Sequence, residues 1–137
     1  MTKKIFKSNI LVAVVVLIFG IACVMAILYQ HFGKQINTEL EKEATYLAYG
    51  VEQNGMDYLN QIKEKDDRIT YIAEDGTVLY DNQADSSSME NHSDRKEVQE
   101  ALKSGSGHAE RDSKTLSQKT IYYALRLSDN TVLRVSS

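Results

Sequence analysis

The hydrophobic and polar positions divide the chain into an apolar helix, a helix of mixed composition and a series of short strands. Residues 10–29 form a run of 20 without a charged side chain, ILVAVVVLIFGIACVMAILY. A helix of that length crosses the hydrocarbon core of a bilayer, because each residue adds about 1.5 Å. We therefore predict that residues 10–29 are a transmembrane helix in contact with membrane lipid, and that residues 1–9 are a basic tail.

Residues 30–64 have the pattern of a further helix, the N-terminal helix of a domain at residues 65–137. Apolar side chains recur at spacings of four, three, four and seven residues, close to a heptad seam: Leu40, Ala44, Leu47, Val51 and Tyr58. This seam either packs on its own domain or forms a dimer, and the pattern allows both. Gly50 and Gly55 weaken the helix, so we predict a break near Asn54-Gly55.

Alternating segments in residues 65–137 predict a five-stranded antiparallel sheet. The first two strands flank Asp75-Gly76, which is a strong hairpin signal. The predicted strands are residues 68–73, 77–81, 108–115 (an edge strand), 120–127 and 131–136. The fourth strand places Ile121, Tyr123, Leu125 and Leu127 on one face. With the long helix covering one face of the sheet, the predicted fold class is α+β.

A polar loop and a short helix separate the second strand from the third. Residues 83–91 are serine-rich, and residues 95–103 carry an apolar face. Asp94 and Glu97 have the three-residue spacing of a capping box, so we expect Asp94 to cap this helix. Gly105 and Gly107 are expected to end it.

Charge predicts the orientation in the membrane. Lys3, Lys4 and Lys7 precede the apolar run, and basic flanks stay in the cytoplasm. Residues 30–137 are then extracytoplasmic, at the plasma membrane. They carry all 19 acidic side chains and 13 of the 16 basic ones, an acidic excess that argues against nucleic acid as a partner. Tyr29-Gln30-His31-Phe32 is a poor signal-peptidase site, so the helix is expected to remain as an anchor.

Four segments resemble the extracytoplasmic sensor region of Gram-positive sensor histidine kinases, particularly the single-Cache-like, PAS-like domain of phosphate-responsive kinases. They are residues 68–82, 90–102, 105–116 and 122–136. The chain departs from the family at Asn82, at Lys96 and at the last hairpin, where Asp129-Asn130 replaces Asp-Gly. Asn130 also tolerates a positive φ.

The resemblance implies a two-component sensor that works as a homodimer. It implies a second membrane helix and an ATP-dependent kinase core beyond Ser137, through which a response regulator would be phosphorylated. The alternative is a stand-alone single-span protein that binds a protein partner at the cell surface. Residues 1–137 are not expected to be an enzyme themselves, because His31, His92 and His108 lack a phosphoacceptor motif and no ATP-binding motif is present.

The candidate chemistry is ligand binding, with no cofactor or metal predicted. By position in the resembled fold, the candidate ligand-binding residues are Tyr71, Tyr80, His92, Arg95, Arg111 and Tyr123. Arg95 and Arg111 are suited to a small anionic ligand, since guanidinium groups bind carboxylates and phosphates in a bidentate manner. For the tyrosines we favour core packing, and for Arg95 an ion pair with Asp81 or Glu97 is an equal alternative. Some members of such families sense an extracellular protein partner instead.

Overall fold

A computed structural model of the chain describes residues 2–62, 66–112 and 119–137. The chain forms two compact units, residues 1–35 and residues 36–137. Each unit is described by itself below.

The first unit is the N-terminal part of helix α1, which spans Thr2–Asn54. Its large apolar side chains are exposed, among them Phe19 and Tyr29 at about 70%. The helix is long enough and apolar enough to cross a membrane. Length and composition therefore fit the predicted membrane anchor.

The second unit contains the rest of α1 and the short helix α2, Met56–Gln61. The predicted break is confirmed at Gly55, where φ is 61°, a conformation that glycine adopts without a steric penalty. The heptad-like seam of α1 is buried within its own unit, so its apolar side chains are used for intrachain packing. Residues 63 and 64 of the predicted helix lie outside the described residues.

The predicted five-stranded antiparallel sheet is confirmed, and its strands lie in the order β2-β1-β5-β4-β3. Their bounds are β1 Arg68–Ile72, β2 Val78–Asp81, β3 Ser106–Asp112, β4 Lys119–Arg126 and β5 Val132–Ser136. Strand β3 is at an edge, as expected; residues 113–115 of that prediction lie outside the described residues. A 3-10 turn at Ser86–Ser88 interrupts the serine-rich loop.

The sheet is packed on both faces, because successive side chains of a strand point to opposite sides. On one face, Tyr71, Leu133 and Val135 join the α1 seam in the main core. On the other face, helix α3 (Lys96–Ser104) buries Val98 and Ala101. These two surfaces are called the α1 face and the α3 face below.

The predicted cap of α3 is wrong. The N-cap residue is Arg95, whose backbone oxygen accepts a hydrogen bond from the Val98 N–H, and the residue has no side-chain capping bond. Asp94 lies one residue too early, and the Glu97 carboxylate turns into the protein instead of back to the helix start. Gly105 does end the helix. Asn130 takes the predicted positive φ, 65°, in the last hairpin.

Replacing Leu47 by alanine should destabilise the second unit. Leu47 is 1% exposed in the main core, and truncation of a buried leucine costs about 3 kcal/mol. The free energy of unfolding is measured for the full chain in detergent micelles by guanidinium titration. Tyrosine fluorescence is the signal, because the chain has eight tyrosines and no tryptophan. Thr45→Ala, at an exposed position of the same helix, should change the free energy by under about 0.5 kcal/mol. Equal losses in the two variants would contradict this packing.

Candidate functional site

The α3 face carries a group of charged side chains between the sheet and the following loop and helix. We call it the α3-face charge cluster, and it consists of Arg68, Asp81, Glu97, Arg111 and Arg134. Strand register brings its members together: Thr70 pairs with Asp81 on one side and with Arg134 on the other. The cluster contains three guanidinium groups and two carboxylates, so it has an excess of one positive charge.

Glu97 is the point at which α3 is bound to the sheet. Its side chain is fully buried, and its two carboxylate oxygens accept hydrogen bonds from Arg111 Nη2 and, at 3.3 Å, from Arg134 Nη1. Burial by itself raises the pKa of the Glu97 carboxyl, but the hydrogen bond and charge of Arg111 and the charge of Arg134 outweigh it. The net pKa is therefore below its ordinary value, and Glu97 is ionised at neutral pH.

Arg134 continues the cluster towards the edge strand β2. Its Nη2 donates to Thr70 Oγ1 at 3.1 Å, and that hydroxyl donates to Asp81 Oδ2 at 2.9 Å. Arg68 Nε donates to the same carboxylate at 3.0 Å. Hydrogen bonds therefore run from α3 through β5 and β1 to β2. Removing one partner from such a buried network leaves a polar group unpaired, which is costly.

Asp81 also fixes the start of the β2–α3 connection. Its Oδ1 accepts backbone N–H groups from Gln83 and Ala84 at 3.0 and 2.9 Å. Burial raises the pKa of the Asp81 carboxyl, but hydrogen bonds from Arg68 and Gln83 and then Thr70 lower it below its ordinary value overall. The loop and the edge strand are thus joined through one ionised carboxylate.

Tyr122 provides an aromatic surface for two of the arginines. The guanidinium carbon of Arg111 lies 4.2 Å from the centre of the Tyr122 ring, and that of Arg134 lies 5.3 Å from it. Cations over an aromatic face are attracted by its quadrupole. The ring thus adds a favourable contact to the two arginines that share the single negative charge of Glu97.

The three predicted tyrosines lie on the α1 face. Tyr80 donates its hydroxyl to the Leu59 carbonyl at 3.0 Å, and Tyr71 accepts a hydrogen bond from Thr131 Oγ1 at 3.1 Å. Tyr123 is 4% exposed and belongs to the main core. Their positions agree with the core-packing alternative. The sheet separates them from Arg111, so the six predicted residues do not line one site.

His92 and Arg95 lie in the segment that leads into α3. The backbone N–H of His92 donates to the Gly76 carbonyl at 2.8 Å. The His92 ring is buried, and its Nδ1 lies 2.9 Å from the Glu90 carbonyl oxygen. Burial is the main cause that lowers the pKa of His92, and the positive charge of Arg134 adds to it. His92 is therefore neutral at pH 7.

The expected ion pair of Arg95 with Asp81 or Glu97 is not formed. Arg95 Nε lies 3.6 Å from the carboxylate of its neighbour Asp94. Asp81 instead forms an ion pair with Arg68. Glu97 forms ion pairs with Arg111 and Arg134. Arg95 keeps a buried Nε without a hydrogen-bond partner among the described residues.

Sequence reasoning missed Arg134, which is central to the cluster. A signal was present: Arg134 lies among Val132, Leu133 and Val135 in a predicted strand, and a charge in such an apolar run requires a partner if it is buried. In the described part of the chain, no group of three His, Cys, Asp or Glu side chains is arranged to hold a metal ion.

The fold defines a class of protein: an α+β domain with a central antiparallel sheet. A family model described as Single Cache-like matches residues 30–132. The chain therefore belongs to the single Cache-like family, whose members are typically extracellular sensor domains. The apolar N-terminal helix fits a membrane anchor for such a domain.

No curated protein matches the chain by sequence. A solved structure that resembles it is that of the Bacillus subtilis YkuI protein, which has an EAL domain and was crystallised with c-di-GMP and calcium. The two share 14% sequence identity with a TM-score of 0.47, over 78% of this chain. The chain spans only 34% of the length of that protein.

The buried His92 should make the stability of the domain depend on pH. Its pKa is lowered on folding, so the unfolded chain binds the proton more readily. The contribution of neutral His92 to the free energy of unfolding is fully present above the unfolded pKa, about 6.5. This contribution is lost as pH falls through the folded pKa. The free energy of unfolding should decline between pH 7.5 and pH 5.5, and His92→Gln should reduce this decline.

His108→Gln is the matched control, because His108 is an exposed histidine on β3. This variant should keep the pH dependence of the unmodified chain. If His92→Gln and the unmodified chain lost stability in parallel, the dependence would have another origin.

Proposed function

We propose that residues 1–137 are the membrane anchor and extracytoplasmic sensing region of a two-component sensor histidine kinase. The observation that carries the proposal is that one helix, α1, contains both the apolar run at residues 10–29 and the buried seam of a single Cache-like domain. A sensor in which the same helix enters the membrane and packs on the sensing sheet has a direct means of transmission. The kinase itself is supported by the resemblance of segments such as residues 68–82 and 122–136.

The proposed orientation has the N-terminus in the cytoplasm and residues 30–137 outside the cell. Lys3, Lys4 and Lys7 support it, since basic residues flanking a first membrane helix are retained inside. The acidic excess of the remaining chain is compatible with an exposed soluble domain. The single cysteine, Cys23, lies within the apolar run, so the domain has no need of disulfides for its fold.

The proposed mechanism is a change in the packing of the sheet against α1. A ligand that binds two arrangements of the domain unequally shifts their populations. Helix displacements of about 1–2 Å are a common form of such a switch. Because Leu40, Ala44 and Leu47 pack directly on the sheet core, a change in the sheet would act on α1 and so on the anchor.

The proposed stimulus is a small anionic ligand on the α3 face. The excess of one positive charge in the α3-face charge cluster and the buried, unpartnered Nε of Arg134 support this chemistry among the described residues. An extracellular protein partner is the alternative stimulus. We also propose a homodimer, supported by Tyr46 and Tyr49, which are 74% and 69% exposed on α1.

The orientation predicts which positions react from outside the cell. In a Cys23→Ser background, Ser87→Cys should be labelled in intact cells by a maleimide that does not cross membranes, because Ser87 is exposed in the β2–α3 connection. Ser8→Cys is the matched position before the apolar run and should react only after permeabilisation. The reverse pattern would invert the topology and exclude extracytoplasmic sensing.

The kinase proposal predicts a protein longer than the present chain. Antibodies raised against residues 66–112 should detect, in cells that carry the gene, a membrane protein well above 15.5 kDa, the mass of residues 1–137. Membranes given labelled ATP should phosphorylate that species, with the acid-labile phosphate of a phosphohistidine. Cells in which the gene is deleted serve as the control.

A species of 15.5 kDa without phosphorylation would contradict the kinase proposal. It would favour the alternative of a stand-alone, single-span protein that binds a partner at the cell surface. A longer species without phosphohistidine would indicate a different output domain behind the same sensor.

A further inference from the structure

The Glu97 carboxylate lies against the sheet and contacts two arginines, as a bound anionic ligand would. It belongs to α3, whereas the groups that bind it, Arg111 and Arg134, belong to β3 and β5. Both carboxylate oxygens are engaged, one by each guanidinium. The carboxylate is fully buried and Arg134 is 4% exposed, so the sheet forms an anion site that a side chain of the same chain fills.

The site offers more hydrogen-bond donors than the Glu97 carboxylate accepts from. Arg134 donates hydrogen bonds from Nη1 to Glu97 and from Nη2 to Thr70. Its buried Nε has no hydrogen-bond partner among the described residues. Arg111 stacks on Tyr122 and also faces Glu97. A buried donor without a partner is unfavourable, so the site favours an additional or alternative acceptor oxygen.

The backbone of α3 lies against β3 at the same place. A Cβ atom added at Gly107 would come within 2.1 Å of the Glu97 carbonyl oxygen. Only a glycine permits this approach of helix and strand. Arg126 Nη1 also donates to the Leu102 carbonyl at 2.7 Å, near the other end of the helix. Polar contacts of Glu97 at one end and of Arg126 at the other thus both hold α3 to the sheet.

We propose that Glu97 is a tethered internal ligand that holds the domain in one state. While Glu97 contacts Arg111 and Arg134 (the arginine pair), α3 covers these two side chains. When another carboxylate binds the arginine pair of the unmodified chain, Glu97 loses its partners, and α3 leaves the sheet because the Glu97 charge cannot stay buried unpaired. As a regulatory device, this rests on the proposed sensing function, whereas the internal anion site itself does not.

Acetate rescue of Glu97→Ala tests the proposal. The full chain is held in nanodiscs of phosphatidylcholine, and hydrogen exchange of the α3 amides is measured by mass spectrometry. The variant should exchange these amides at least about tenfold faster than the unmodified chain, because a buried charge pair has lost one partner. Sodium acetate should slow the exchange again, whereas sodium chloride of equal ionic strength and acetamide should not.

Lys103→Ala is the matched control, since Lys103 is a charged, exposed residue near the C-terminal end of α3. It should exchange nearly as the unmodified chain does and show no acetate effect. Should Glu97→Ala fail to fold, Glu97→Gln keeps the volume of the side chain. It should exchange its α3 amides faster without responding to acetate, because the amide fills the site.

Equal effects of acetate and chloride on Glu97→Ala would overturn the proposal, as would unmodified α3 exchange in Glu97→Gln. Neither readout depends on membrane orientation or on a kinase core. Failure here therefore leaves the proposed sensing function untouched, and an inverted topology would leave the internal anion site in place.

Discussion

The buried guanidinium of Arg134 is the constraint on which the α3 face depends. It lies in β5, the central strand of the sheet, where every side chain is buried. A charge in that position is tolerated only with fixed partners. Glu97 supplies one partner and Thr70 the other. Through Glu97 the guanidinium is joined to α3, and through Thr70 it is joined to Asp81, which holds the edge strand β2 and the start of the following loop.

The two faces of the sheet use different forces. The α1 face is held by apolar packing, which is non-directional and roughly proportional to the area removed from water. The α3 face combines a small apolar cluster with a directional network of charges. This division suits a sensor in which one face receives a chemical signal and the other passes displacement to a helix.

Local patterns in the sequence predicted the elements well and the site poorly. The uncharged run at residues 10–29 and the hairpin at Asp75-Gly76 are contiguous signals, and both correspond to features of the structure. The capping box failed because Glu97, suited locally to a helix start, is held more strongly by Arg111 and Arg134. The pair of Glu97 with Arg134 joins residues 37 positions apart. Strand register decides it, and no local spacing encodes register between distant strands.

Ionic strength acts unequally on the charges of α3. Dissolved salt screens exposed charges over about 8 Å at physiological concentration but has much less effect on buried pairs. The pair of Lys96 with Glu100 lies at the surface, with side chains 73% and 43% exposed, and weakens in brine. The buried carboxylate of Glu97 is shielded by the helix that carries it. The contact of α3 with the sheet through Glu97 should therefore change little with salt concentration, whereas the surface pair of the same helix should weaken.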